Sequence, residues 1–354
     1  MDWGLGHATR CIPIINELIS LNCTVWIAAG GDSLQLLRKE FPLLPFLNAE
    51  GHHVIYHSAK SDFRYVIARQ VPAIIRSIRR EHRWLKAMIA EHYFDIVISD
   101  NRYGMYYRGA YCVIITHQLG IKTGWGVWAD SIVRRLNYRR IRNFDECWIP
   151  DFAGKDNLAG ALSHPPQLPP RARYIGALSR LEKREKNIKY DLLIILSGPE
   201  PRRTMWEKSL LLQLELFEGN VLLVRGLPGN DGHITSGSGK EIVNYLSSEA
   251  LGAAIQQATW VVCRSGYTSV MDLVQLQQKA ILVPTPGQTE QEYLAKWLHD
   301  NEIFYTSSED GFSLQQCIRE AANFPFRFSN FVPFFAGYKT QIKDLVTRVE
   351  SNKR

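Results

Sequence analysis

Short runs of β-branched and aromatic residues alternate with longer helical stretches along almost the whole chain, and this alternation limits the possible folds more than any motif does. In the first half the runs are TVWIAAG (24–30), HVIYH (53–57), FDIVISD (94–100), YCVIITH (111–117) and ECWIPD (146–151), each closing on a polar or glycine-containing turn. Strands separated by helices read as βαβ units, and βαβ units build parallel sheets. After the proline-rich stretch ALSHPPQLPP (161–170) and the charged stretch LEKREKNIK (181–189) the pattern restarts, with YDLLIILSG, NVLLVRG, EIVNY, WVVCRSG, AILVPT and IFYTS. One α/β architecture is therefore written twice.

The chain has 354 residues, which suits two lobes at roughly 150 residues each. The expected division is an N-terminal Rossmann-like lobe over 1–175, a second over 176–333, and a terminal helix over 334–354 returning to the first lobe; YKTQIKDLVTRV carries the apolar positions for it. The opening, MDWGLGHATR, is the exception to the pattern. A glycine loop of this kind normally follows the first, central strand and opens a helix whose free amides face a ligand. Here no strand precedes it, so the expectation is a first lobe lacking its first strand and a start shortened by about six to eight residues, one strand length. The alternative is a disordered opening tail with His7 as an ordinary helix-start residue.

Composition then narrows the setting. No apolar run approaches the roughly 18 residues that span a bilayer, and the first residues lack a signal-peptide layout, so a soluble protein is expected. The six cysteines stand apart, without CxxC spacing, which fits a reducing, cytoplasmic compartment. A formal charge of +7 favours anionic partners. RNA-binding signatures are absent, so nucleic acid is not expected as a partner. HHVIYH (52–57) contains three histidines, but its period-two alternation reads as strand, and no metal site is expected there.

Two groups of residues carry chemistry. In GLGHATR, Gly4 and Gly6 shape a tight turn and His7 sits at a helix mouth, where an imidazole can serve as general base near neutral pH. The second lobe supplies CRSGYTSVMDLVQLQQKAILVPTPGQTEQEYLAKWL (263–298), which reads strand, turn, helix, strand, loop, helix. Ser265 and Gly266 open the first helix and offer amides to a pyrophosphate, with Asp272 further along it. Gln288, Glu290 and Gln291 reach the same carboxyl edge and can bond sugar hydroxyls. Taken singly, Ser265 reads equally as an N-cap and Glu290 and Gln291 as first-turn residues.

The segment from Cys263 resembles the donor-site signature of family 28 glycosyltransferases. Gly6 and His7 match that family's opening Gly-His, Cys263 to Gly266 match its Cys-Arg-Ser-Gly, Asp272 stands where it has Glu, and Glu290 and Gln291 occupy its Gln-Gln positions. The resemblance implies a GT-B fold of two Rossmann-like lobes with a cleft between them, a metal-independent enzyme without cofactor, a UDP-sugar bound by the second lobe and an acceptor bound by the first. By that analogy Asp272 holds the ribose, Ser265 and Gly266 the phosphates, and Glu290 and Gln291 the sugar. LSGPEPRRT (196–204) matches a family loop in which Ser197, Gly198 and Arg202 contact phosphate, although Arg202 reads equally as an exposed helix start. Asp272 and Glu290 depart from the pattern, so N-acetylglucosamine is not carried over.

On the acceptor side, Asp100 ends one strand and His117 and Gln118 follow the next, all at carboxyl ends that face the cleft. Asp100 is either a second base, an orienting partner for His7, or a helix cap. Between them KTGWGVWADSIVRRLNYRRIRNF interleaves Trp125, Val127, Trp128, Ile132, Val133 and Leu136 with Arg134, Arg135, Arg139, Arg140 and Arg142. This reads either as an anionic-membrane contact serving a lipid-linked glycan acceptor, or as a packed amphipathic helix with a basic outer face. The expected activity is inverting sugar transfer to a hydroxyl, with His7 as base and helix N-termini, Arg264 or Arg202 stabilising the departing UDP; Arg264 reads equally as a structural side chain turned from the cleft. Two rivals share the same residues: a nucleotide-sugar hydrolase or epimerase, and a non-catalytic sugar-nucleotide-binding protein.

Overall fold

The computed structural model describes residues 5–49, 63–120, 126–185, 187–227, 233–236, 239–328, 331 and 337–351. Its first lobe runs α1 (Leu5–Ser20), β1 (Ile27–Ala29), α2 (Gly31–Glu40), β2 (Phe46–Asn48), α3 (Phe63–Glu91), β3 (Ile96–Asp100), β4 (Tyr111–Ile115), α4 (Val127–Ile141), β5 (Glu146–Ile149) and β6 (Ala172–Tyr174). All strand pairings in this lobe are parallel, in two sheets: β1-β2 and β3-β4-β5-β6. Among the described residues no strand joins β1 to β3. β3 consequently stands at a sheet edge with a half-buried apolar run, IVIS, of the kind found where both faces are covered, whereas Val113 to Ile115 of β4 and Cys147 to Ile149 of β5 are fully buried. The HHVIYH segment lies outside the described residues.

The second lobe runs β7 (Tyr190–Ile195), α5 (Arg202–Leu214), β8 (Val221–Val224), β9 (His233–Ser236), β10 (Lys240–Val243), α6 (Ser248–Gln256), β11 (Ala258–Cys263), α7 (Tyr267–Leu276), β12 (Ala280–Leu282), α8 (Thr289–Asp300), β13 (Tyr305–Thr306), α9 (Leu314–Ala321) and α10 (Gly337–Ser351). Its seven strands form one sheet in the order β13-β12-β11-β7-β8-β10-β9, parallel except where β9 turns back along β10. The central strands are buried on both faces: Leu192, Leu193, Ile194, Val261 and Val262 have no exposed surface, and the helices covering the sheet supply Leu210, Val270, Val274, Leu294 and Leu298. Such burial contributes roughly 2 kcal/mol per large side chain to this lobe's stability.

The lobes touch over a broad front. The Tyr267 hydroxyl donates to the Pro150 carbonyl (2.7 Å), the Ala161 amide donates to the Tyr293 hydroxyl (2.7 Å), and the Ser248 hydroxyl donates to Glu40 (2.9 Å). α10 leaves the second lobe and packs on α1. There Arg348 donates to the Tyr111 hydroxyl (2.8 Å) and to Glu146 (2.5 Å), whose carboxylate also receives the Tyr111 hydroxyl and the Trp148 indole.

Candidate functional site

α1 begins at Leu5, slightly earlier than the glycine spacing suggests, so Gly6 and His7 lie in its first turn. His7 and Arg10 are three residues apart and therefore share one helical face, which is turned toward the end of β3. There His7 Nδ1 lies 3.0 Å from Asp100 Oδ2, and the Arg10 guanidinium donates to both Asp100 oxygens, from Nε at 2.8 and 3.0 Å and again from Nη2. Gly6 is where this helix mouth meets the other lobe: the Thr268 hydroxyl of α7 donates to the Gly6 carbonyl (3.0 Å), and a Cβ at Gly6 would stand 3.1 Å from that oxygen. A side chain at this position would crowd the Thr268 hydroxyl, which would have to shift by a few tenths of an ångström.

Electrostatics give these groups distinct states. Burial opposes charge on Asp100, but Arg10 and then His7 hold its carboxyl well below the ordinary range. Asp100 is therefore an ion-paired carboxylate that orients other groups. His7 is moved the other way: burial first, then the Arg10 charge, lower its pKa below 6.5 against the pull of Asp100. A neutral imidazole, partly open to the cleft, can accept a proton at neutral pH.

β4 delivers the next layer. His117 is buried, stacks on the Tyr267 ring at 4.3 Å between centroids, and lies with Nδ1 3.2 Å from Arg10 Nη1. Its other nitrogen, Nε2, bonds Glu290 across the cleft at 2.7 Å, and the Gln118 side-chain amide donates to the second Glu290 oxygen at 2.5 Å. Burial opposes charge on the Glu290 carboxyl, but the bond from His117 Nε2 and the nearby Arg10 charge lower its pKa, and the N-terminus of α8 favours the same ionised form.

The remaining second-lobe residues fall into two groups. The N-termini of α7 and α8 converge, tied together by the Ser265 hydroxyl donating to the Gln291 carbonyl (2.9 Å); the Gln291 side chain in turn accepts from the Thr285 amide and donates to Gln288. Gly198, at φ +108, lies in the loop before α5, where a Cβ would come within 3.8 Å of Thr285 Oγ1; Ser197 is exposed, and Arg202 opens α5 with no ion-pair partner among the described residues. Asp272 is buried, and its carboxylate accepts from the Ser179 hydroxyl at 2.6 Å; burial raises its pKa to about 6. Arg264 is turned from the cleft: it donates to the Val283 and Pro284 carbonyls, pairs with Glu309 at 2.6 Å and lies over Trp206.

The structure thus gathers His7, Asp100, His117, Gln118 and Glu290 into one cross-lobe cluster and places Ser265, Gly266, Gln288 and Gln291 beside it, while Arg264 stands apart as a structural side chain. Gly4 lies outside the described residues. The sequence reading assigned no role to Arg10, although its spacing from His7 was a usable signal. Nor did it mark Tyr267, which supports the His117 ring. Among the described residues no three His, Cys, Asp or Glu side chains come together as metal ligands would.

Comparison with known proteins bears on the fold and on the class of enzyme. Residues 221–327 match the glycosyltransferase family 28 C-terminal domain. No curated protein matches the chain. Among solved structures it is similar to MurG of Acinetobacter baumannii (14% identity, 98% of this chain and 96% of that one, TM-score 0.52). It is also similar to the calicheamicin glycosyltransferase CalG4 (11%, 98% and 96%, TM-score 0.65) and to the spinosyn rhamnosyltransferase SpnG complexed with thymidine diphosphate (12%, 98% and 94%, TM-score 0.55). At these identities the likeness establishes the fold, the GT-B arrangement of two lobes. A glycosyltransferase domain on that fold makes the chain a sugar-transferring enzyme.

Proposed function

We propose that the chain transfers a sugar from a nucleoside diphosphate sugar, read as a UDP-sugar, to an acceptor hydroxyl, inverting the anomeric carbon and using no metal. The observation that carries this reading is the neutral His7, paired with an ionised Asp100, facing the converging N-termini of α7 and α8 in the other lobe. The acceptor oxygen attacks the anomeric carbon while its proton passes to His7 Nε2, and Nδ1 donates to Asp100 as the imidazolium forms. The bond from the anomeric carbon to the diphosphate breaks and its electron pair leaves on the phosphate oxygen. Helix N-termini and Arg202 receive that charge; Arg264, committed to Glu309, does not. Asp272 holds the ribose, Glu290 and Gln291 the sugar.

The acceptor is read as a lipid-linked glycan at the inner face of a membrane. Among the described residues no helix is long and apolar enough to cross a bilayer, so contact would be peripheral. Its support is α4, where Trp128, Ile132 and Leu136, four residues apart, are 76, 45 and 59% exposed on one face with Arg135 and Arg139 beside them. α4 packs Ala129, Tyr138 and Ile141 inward and leaves these three larger side chains on its outer face.

Calorimetric titration of UDP, GDP and dTDP into the protein and into Asp272→Ala tests the donor site. The expected result is selective UDP binding that the substitution weakens at least tenfold. Tighter binding of dTDP, the nucleotide seen with the spinosyn rhamnosyltransferase, would reassign the base, and no binding of any of the three by folded protein would overturn the reading.

A further inference from the structure

The cluster at the cleft contains one cation that the mechanism above does not use. Arg10 is 2% exposed, and its guanidinium touches three side chains from three chain segments: His7 Nδ1 at 2.8 Å, both oxygens of Asp100, and His117 Nδ1 at 3.2 Å. A guanidinium carries five donors and no acceptor. Each imidazole nitrogen bonded to it must therefore be an unprotonated acceptor.

For His117 that requirement settles the tautomer. With Nδ1 accepting from Arg10, its single proton is on Nε2, the nitrogen 2.7 Å from Glu290. A cationic His117 would set donor against donor at 3.2 Å. For His7 the requirement creates a competition, since Nδ1 accepts if it bonds Arg10 and donates if it bonds Asp100. Only the second state leaves the Nε2 lone pair facing the cleft as a base. Arg10 keeps Asp100 ionised in both states through its own bonds to that carboxylate.

We propose that Arg10 is the positioning residue of this site: it fixes His117 as the tautomer that grips Glu290, and it prepares the Asp100 carboxylate that accepts the hydrogen bond from His7 Nδ1. One guanidinium thereby ties the base in the first lobe to the sugar-holding loop of the second. The inference rests on the transferase reading for its kinetic consequences, while its tautomer consequences stand independently.

The charged and titratable groups facing His7 are Arg10 from α1, Asp100 from β3, whose carboxylate also meets the Cys11 thiol, His117 after β4, and Glu290 from α8 across the cleft. Replacing Arg10 with neutral glutamine removes the only cation among them. His7 then titrates at higher pH, and the acid limb of kcat/KM moves upward. Lysine restores the charge but cannot reach three partners from one planar fork.

The first experiment is nitrogen-15 correlation spectroscopy of the histidines in the wild-type protein near pH 7. His117 is expected with a protonated Nε2 and a bare Nδ1; a protonated Nδ1 overturns the proposal, and this holds whether or not any variant folds. The second compares Arg10→Gln and Arg10→Lys with wild type in UDP titration and in turnover of a UDP-sugar. UDP affinity should stay within about twofold, since the nucleotide sites are on the other lobe. kcat should fall roughly 10- to 100-fold, less than the loss of a base itself, which is 10²–10⁴. The acid limb should rise in Arg10→Gln and return in Arg10→Lys. Unchanged kcat and an unmoved acid limb in Arg10→Gln overturn the proposal. Failure of wild type to bind UDP overturns the donor reading alone, because the tautomer result is read without nucleotide.

Discussion

Asp272 shows how a single residue can be set against the stability of its own lobe. It is buried in α7 with a pKa near 6, against 3.8 for a free carboxyl, because burial penalises its charge more than Arg180 and Ser179 relieve it. A raised carboxyl pKa means that the folded state holds the proton more tightly than the unfolded chain. Stability is therefore full below about pH 4 and is lost as pH rises through 6, by about 3 kcal/mol at completion. Asp272→Asn should match wild type in urea denaturation at pH 4 and exceed it at pH 7.5, while binding UDP more weakly. Equal stability of the two proteins at both pH values would show that the carboxyl is not held against its charge. The sequence located Asp272 but not this state, which comes from the tertiary packing that buries the carboxyl and leaves Ser179, 93 residues away, and Arg180 to offset only part of the cost. Likewise Glu290 was legible as a helix-start residue, whereas its bonds to His117 and Gln118 required both lobes to be in place.

At the scale of elements, the periodicities were read correctly wherever local burial decides them. The strands of the second lobe are runs of Leu, Ile and Val covered on both faces, and nothing nonlocal is needed to recognise them. β9 and β2 were not anticipated, being short and defined by their partners β10 and β1. α10 is legible as a helix, but its attachment is long-range: Arg348 crosses to Tyr111 and to the buried Glu146. Glu146 keeps the Tyr111 hydroxyl and the Trp148 indole when that arginine is removed, so the loss is moderate. Arg348→Ala should destabilise the protein by about 1 kcal/mol in thermal unfolding and speed proteolysis within 337–351. It should leave UDP binding unchanged, since none of these groups lies at α7 or α8. An unaltered cleavage rate would mean that the helix is held by its apolar face on α1 alone.

For the whole molecule, the arrangement of charges and apolar surface decides where the proposed transfer would take place. The cleft needs its lobes together, since His117 and Gln118 meet Glu290 only across it, and the first lobe presents α4 outward beside that cleft's acceptor side through the Asn137 bond to the Gln118 carbonyl. A ridge of Trp128, Ile132 and Leu136 costs solubility unless something covers it, and the arginines flanking it favour an anionic surface. Burial of such side chains in the headgroup region and attraction of their arginines are separable, because salt screens only the second: near 0.5 M the screening length falls to about 4 Å. Flotation with phosphatidylglycerol vesicles should therefore recover the protein at low salt, recover less at high salt, and recover little of a Trp128→Ser, Leu136→Ser double variant at either. The same variant should bind UDP as wild type does, because none of the residues assigned to the donor site lies on α4. If the double variant floats as well as wild type, α4 is not the membrane contact and the acceptor need not be lipid-linked; if neither protein floats while both bind UDP, the transferase reading survives with a soluble acceptor.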